Sequence, residues 1–310
     1  MSTKVAAVGA GTWGLSLAAA AARAGSDVVV VSRRREGDAP EGVRRTTEMA
    51  AIREARRIPV AVPSHVAREI GTEMGDHVDG RHFVVHGVRG LVGEKLETVC
   101  DVLRQETPVR RLGALGGPAL ADDLLGGKPS VLICGSAYPE VTDAVDEALG
   151  CRSCRIYSTP DLRGLEWASA LVGCLAIGIG YAQTLALSPG LVAAVITRAI
   201  TEGSRIAAAA GGDERTLLGL AGYGDLLACI AQKERPEVRL GAALARGLPI
   251  AEAMRAAELR VEAIELIPRI STWAEGMGVH TPIFSALGDA IFGKRTPSDL
   301  IELLMTRPKD

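Results

Sequence analysis

Short apolar runs punctuate the first half of the chain, and longer helical patterns fill the second. The runs Val5–Gly9, Val28–Ser32, Ile58–Val62, His82–His86, Arg111–Leu115, Ser130–Cys134 and Arg155–Tyr157 read as buried strands. Between them, Leu15–Ala24, Ser64–Met74, Gly93–Gln105 and Pro139–Leu149 repeat apolar residues at helical spacing. Strands of this kind, separated by helical patterns of about ten residues, predict a doubly wound parallel sheet. Beyond Pro160 the pattern is helical throughout: Leu162–Leu187, Leu191–Ala210, Thr216–Ile230, Val238–Arg246, Ile250–Ala257, Val261–Met277, Ile283–Ile291 and Thr296–Met305. Ser188-Pro189 and Thr296-Pro297-Ser298-Asp299 are helix-start signals. The expected architecture is an α/β domain over residues 1–160 and an all-α domain over 161–310, with a substrate cleft between them.

The first strand hands over to the first helix through Gly9-Ala10-Gly11-Thr12-Trp13-Gly14. Each glycine of this Gly-x-Gly-x-x-Gly turn has a task. Gly9 permits the sharp turn, Gly11 lets the backbone approach a pyrophosphate, and Gly14 allows helix to pack on strand. The helix N-terminus adds unpaired N–H groups and partial positive charge. Together with the second strand, Asp27–Ser32, this makes the first domain a Rossmann-type dinucleotide site. A carboxylate at the end of that strand would favour NADH. Here it runs into Ser32-Arg33-Arg34-Arg35, whose guanidinium forks suit the 2′-phosphate of NADPH. NADPH is therefore expected to bind at least as tightly as NADH. At the end of the fourth apolar run His86 is an acid/base candidate, a cofactor contact, or a strand-end polar residue.

Composition narrows the function classes. The chain has 310 residues, enough for two cores, and a formal net charge of −2 gives no reason to expect nucleic acid as a partner. Hydrophobic residues make up 47% and aromatics only 3%, which suits α/β and helical packing. No apolar stretch is expected to span a bilayer, and no signal peptide precedes the first strand, so a cytoplasmic location is expected. Six cysteines are scattered along the chain. Cys151 and Cys154 form a lone C-x-x-C without a second ligand pair, and Arg155–Tyr157 begins a strand rather than a helix. Neither zinc nor a thioredoxin-like site is expected.

Several stretches together resemble the NAD(P)-dependent glycerol-3-phosphate dehydrogenases. They are the glycine turn, Val60–Ser64, Gly116–Ala121 with Asp123, Gly164–Glu166, Ala193–Gly203, Gly219–Leu226, Gly278–Ile283 and Leu304–Pro308. All eight occur in register over nearly the whole chain. The resemblance implies a two-domain enzyme, commonly a homodimer, that interconverts dihydroxyacetone phosphate and glycerol 3-phosphate. It places cofactor contacts on Thr12, Trp13, Arg33, Arg34, Ala121 and Glu262, and substrate contacts on Gly117 and Asp225.

The departures matter as much as the matches. The family's lysine before glycine at the end of the fourth apolar run is His86 here. Its central catalytic lysine and asparagine become Val172 and Gly173, and its Ser-Arg-Asn phosphate motif aligns with Arg235-Pro236-Glu237. With a shift of one residue, Arg235 is the candidate to take the place of that motif's arginine. A tyrosine-containing loop is replaced by a short Glu36–Arg45 segment. Ketone reduction builds negative charge on oxygen, and valine meets it with neither charge nor proton. Candidate replacements are His86 and Arg89 near the nicotinamide, and Lys233, Arg235 or Arg239 near the substrate, with Asp225 beside the lost lysine. Two readings follow: a dehydrogenase whose substrate has drifted, or a dinucleotide-binding protein with little hydride transfer.

Overall fold

A computed structural model describes residues 3–33, 37–258, 261–296, 299 and 302. The chain divides into two compact units, Met1–Ser169 and Ala170–Asp310. In the first, β1 (Lys4–Val8), α1 (Thr12–Arg23), β2 (Asp27–Val31), β3 (Val43–Thr46) and β4 (Arg57–Val60) lead to α2 (Ala67–Gly75) and β5 (Phe83–His86). Then come α3 (Val99–Glu106), β6 (Leu112–Gly116), α4 (Ala121–Leu125), β7 (Ser130–Gly135), α5 (Pro139–Leu149) and β8 (Cys154–Thr159). The strands form one sheet in the order β3-β2-β1-β4-β5-β6-β7-β8. The order reverses between β1 and β4, which opens a crevice at the strand C-termini.

Alternation along the strands sorts side chains onto two apolar layers. Val5, Ala7, Val28 and Val30 pack with Leu17 of α1 and Val141 and Val145 of α5. Ala6, Val8 and Val31 pack on the other face with Ile52, Ile70 and Leu103. Both faces are covered, which is why the strands read as continuous apolar runs. The sheet is parallel except at β6–β7, where the pairing is antiparallel. The connection there, residues 117–129, holds only the five-residue α4.

Other expectations needed correction. The apolar pattern does not predict β3, because Val-Arg-Arg-Thr is a polar edge strand with no apolar run to announce it. The helix expected over Gly93–Gln105 begins only at Val99, where the Thr98 side chain accepts the Asp101 N–H. Before it, Val92 and Glu97 form an antiparallel bridge, with Gly93 at φ +62 and Leu96 at φ +54. Cys151 and Cys154 bridge each other's backbones in a turn, and all six cysteines are free thiols.

The second unit is helical. The helices are α6 (Leu162–Thr184), which begins in the first unit, α7 (Pro189–Ala209), α8 (Glu214–Leu218), α9 (Asp225–Ala231), α10 (Pro236–Ala245), α11 (Ile250–Ala256), α12 (Ala263–Gly276) and α13 (Pro282–Ile291). Ser188 caps α7 through its Oγ, with Pro189 in the first turn, as its sequence signal indicates. Thr296 and Asp299 exchange the reciprocal bonds of a capping box. Most of the helix expected over 296–305 lies outside the described residues. The single helix expected over Thr216–Ile230 is instead α8, a π turn at Leu220–Gly224, and α9.

Contrary to expectation, α6 is long and apolar enough by composition to cross a bilayer, with mean hydropathy 1.5 over its best window. That window is 89% buried within the protein, as a core helix is. Glycines let α6 and α10 meet backbone to backbone. A Cβ at Gly180 would strike the Val238 carbonyl, and one at Gly241 would strike that of Ile177. Gly241→Ala is therefore expected to destabilise by about 1–3 kcal/mol through overpacking. Gly276→Ala, with open space at its Cβ, is expected to be neutral or slightly stabilising. Urea midpoints of the two variants test this contrast.

Candidate functional site

The glycine turn stands at the reversal between β1 and β4. Gly9 has φ +107, and a Cβ on it would strike the Ala61 carbonyl just beyond β4. A Cβ on Gly14 would strike the Gly9 carbonyl, so helix and turn touch through their backbones. At Gly11 a Cβ would meet nothing within 4 Å, which leaves an open approach beside the helix N-terminus. No side chain caps α1 at Gly11, and Thr12 at its first position is exposed. Trp13 lies against Gly87, and its buried Nε1 has no hydrogen-bond partner among the described residues. An open backbone cradle, an uncapped helix start and an orphaned donor fit an anionic dinucleotide.

The Gly9 N–H donates to the Val31 carbonyl at 2.9 Å, joining the glycine turn to the end of β2. Beyond it Arg33 pairs with Glu69 of α2 at 3.0 Å, both side chains being more than 60% exposed. Such a pair contributes only about 0–1 kcal/mol and is readily exchanged for an anion. Arg34 lies outside the described residues. Gly117, at φ +100, follows β6 and accepts from Arg89 at 3.4 Å. Ala121 is the first residue of α4 and half-buried.

His86 ends β5 and is 1% exposed. Its Nδ1 accepts the Val88 N–H at 3.2 Å, which puts the ring proton on Nε2, 2.8 Å from Glu166 Oε1. The same Glu166 oxygen accepts the Cys100 N–H at 2.9 Å, in the first turn of α3. A helix N-terminus and an imidazole thus hold one buried carboxylate. Both ring nitrogens are engaged, so His86 reaches a substrate only if the Glu166 bond opens. His86, Cys100 and Glu166 offer ligand atoms within 4.8 Å of one another. Burial, and then the Glu166 charge, push the Cys100 thiol well above its usual value, and Sγ lies 3.5 Å from the Gly113 carbonyl. Metal coordination needs the thiolate, which this environment opposes.

In the second unit the π turn brings Asp225 inward at 0% exposure. Arg235 Nη1 lies 2.9 Å from its Oδ1 and 2.7 Å from Cys229 Sγ, while Nε lies 3.3 Å from Glu237 Oε2. Burial acts to lower the Arg235 pKa, but Asp225, Cys229 and Glu237 outweigh it and hold the guanidinium firmly charged. Asp225 thus acts on Arg235, and Arg235 already has carboxylates where the resemblance would give it a phosphate. Val172 is fully buried in α6. Glu262 precedes α12 and is half-buried, with a partner of its own. Lys233 and Arg239 line an open cavity of about 470 Å³ with Gln183, Thr184 and Arg246. Cys229, Glu237 and the Glu166 pairing carried no local sequence signal, because each works through a side chain that only folding brings near.

Residues 35–142 match the model for the NAD-dependent glycerol-3-phosphate dehydrogenase N-terminus, and residues 161–302 match that for its C-terminus. The chain is 30% identical to the glycerol-3-phosphate dehydrogenase (NAD(P)+) of Rhizobium etli, covering 99% of each chain. It is 28% identical to that of Desulfitobacterium hafniense, over 99% of this chain and 92% of the relative. Among solved structures it is similar to glycerol-3-phosphate dehydrogenase from Coxiella burnetii, with TM-score 0.90, 25% identity and 99% coverage of both chains. A ketopantoate reductase from Ralstonia eutropha, at TM-score 0.58 and 17% identity, shares the fold.

The buried Asp225–Arg235 pair sets a stability test. Asp225→Ala removes the shorter of the two ion pairs on a buried guanidinium, leaves Glu237 beside it, and is expected to cost up to about 3–5 kcal/mol. Adding Arg235→Met should recover part of that loss. Denaturant unfolding of the single and double variants measures the coupling, and additive losses would show that the pair is not formed.

Proposed function

Because the chain belongs to the NAD-dependent glycerol-3-phosphate dehydrogenase family, we propose that it moves a hydride between a nicotinamide dinucleotide and a small phosphorylated hydroxy or keto compound of the glycerol 3-phosphate and dihydroxyacetone phosphate class. The observation that carries this reading is the bare glycine turn at the sheet's reversal, with the uncapped start of α1 beside it. The dinucleotide supplies the hydride. Gly9, Gly11, Thr12, Trp13 and Gly14 are its pyrophosphate cradle in this reading, and Arg33 and Arg34 enter on the family resemblance as cofactor contacts that add positive charge near the ribose. Ala121 and Glu262 enter as cofactor contacts, and Gly117 as a substrate contact, on the family resemblance. NADPH binds at least as tightly as NADH because no carboxylate precedes the arginines at the end of β2. The reading includes a homodimer acting in the cytoplasm.

The proton is the harder part of the reaction. Reduction adds hydride to the carbonyl carbon and a proton to its oxygen, giving the alcohol and the oxidised dinucleotide. Val172 donates nothing, so a water or another side chain must supply that proton. Once Nε2 leaves Glu166, His86 can direct its Nε2–H at the carbonyl oxygen while Nδ1 keeps the Val88 N–H, and water then delivers the proton and leaves as hydroxide to the solvent. Asp225 is a positioning residue that keeps Arg235 charged and oriented. Two observations favour a second reading, dinucleotide binding with little turnover: the buried valine and the carboxylates already on Arg235.

Mixing the purified protein with NADPH and dihydroxyacetone phosphate and following nicotinamide absorbance separates the readings. Turnover about 10²–10³ below a lysine-bearing relative is expected, the usual cost of losing one aimed donor. Val172→Lys should raise it. Tight NADPH binding with no turnover on any phosphorylated triose, in either protein, favours the second reading.

A further inference from the structure

The arginine best placed to read a ribose phosphate is one the motif at the end of β2 does not contain. Residues alternate faces along β2: Val28 and Val30 join the core on the α1 side, whereas Val31 joins the opposite core. Ser32 therefore continues the α1 face and Arg33 the other. The contacts agree, because Arg33 pairs with Glu69 of α2, whose Ile70 and Met74 belong to that opposite core. β3 lies parallel beside β2 with Arg45 opposite Val30 and Thr46 opposite Val31. Arg45 thus stands on the α1 face, two residues beyond Val43, which packs against the α1 core. The Ser32 N–H donates to the Thr46 carbonyl at 3.0 Å, holding the two strand ends together.

Arg45 is half-buried and braced at this corner. Its Nη1 donates to the Gly37 carbonyl at 3.0 Å, and Nη2 lies 3.4 Å from Ser32 Oγ. Gly37 has φ +118, a backbone conformation that favours glycine, and from it the Gly37 carbonyl meets the guanidinium. Arg44, the neighbour on β3, points to the opposite face and pairs with Asp27. One guanidinium and one hydroxyl thus meet on the glycine-turn side of the sheet, at the strand end to which Gly9 is hydrogen-bonded.

We propose that Arg45 and Ser32 form the seat for the 2′-phosphate of NADPH, making Arg45 the residue that decides between the two dinucleotides. The inference rests on the dinucleotide-binding reading above and adds to it the choice of cofactor. A planar fork with five N–H donors can hold phosphate oxygens bidentately, and a side chain already braced loses less freedom on doing so. Arg33, on the other face, contributes charge at longer range.

The test is a titration of the full-length protein with NADPH and NADH, and with adenosine 2′,5′-bisphosphate against 5′-AMP, read by tryptophan fluorescence and calorimetry. Arg45→Met should weaken NADPH and the bisphosphate by about tenfold or more, the loss expected for charge-assisted bonds, while NADH and 5′-AMP change little. Arg45→Lys should be intermediate, because it keeps the charge and loses the fork. Ser32→Ala, a small change that keeps the guanidinium, should weaken only the 2′-phosphorylated ligands. Arg33→Met should cost less than Arg45→Met. An equal loss of both dinucleotides in Arg45→Met would make the residue a brace for the loop and overturn the proposal. So would undiminished NADPH binding in both the Arg45 and Ser32 variants. Failure of the unmodified protein to bind either dinucleotide would instead overturn the functional reading itself, and this inference with it.

Discussion

The backbone contact between the glycine turn and its neighbours is the constraint on which the first unit depends. With no Cβ at Gly9 or Gly14, α1 can start directly over the end of β1 and against the chain leaving β4. That closeness leaves the helix N-terminus bare at the point where the strand order reverses. A side chain at either glycine would lift the helix and close the cradle. The α1 layer relies on the same economy: Ala18–Ala21 are fully or almost fully buried and let helix approach sheet closely. Trp13 then reaches over Gly87, tying the turn to the end of β5.

Buried charge organises what remains, and in each unit it is kept inside by partners. Glu166 is held by His86 and the start of α3 in the first unit. In the second, Asp225 and Glu237 surround Arg235, and Glu202 accepts the Ile283 and Phe284 N–H groups at the start of α13, each at 2.8 Å. Removing one partner exposes the full cost of desolvation, so these groups resist substitution whatever their role in chemistry. Loss of turnover on substituting Asp225 alone therefore does not separate catalysis from folding, whereas gain of turnover at Val172 would.

How far the fold was legible depends on how local each signal is. The alternation of apolar runs and helical patterns places seven of the eight strands among the described residues to within a residue or two, because burial on both faces leaves a continuous apolar stretch. It missed β3, whose Arg44 and Arg45 are held by strand pairing at the sheet edge rather than by burial of an apolar run. It joined α8 to α9, because the apolar residues of Leu220–Leu226 keep helical spacing through a π turn. Gly93–Thr98 looked helical by composition, yet Thr98 caps a helix that begins after it.

The same division runs through the candidate site. The glycine turn and the missing carboxylate after β2 are readable along the chain, since each depends on residue type and short spacing, whereas the lysine that Val172 replaces is known only through the family resemblance. Which charges neutralise one another is not. Periodicity did not show that His86 would be locked to Glu166, that Arg235 would face two carboxylates, or that Arg45 rather than Arg33 would share a face with the glycine turn. Local order is written in backbone preference and burial period. Partnership between distant side chains is decided only when sheet register and helix packing bring them to one point, and there the chemistry of this protein was settled by tertiary structure.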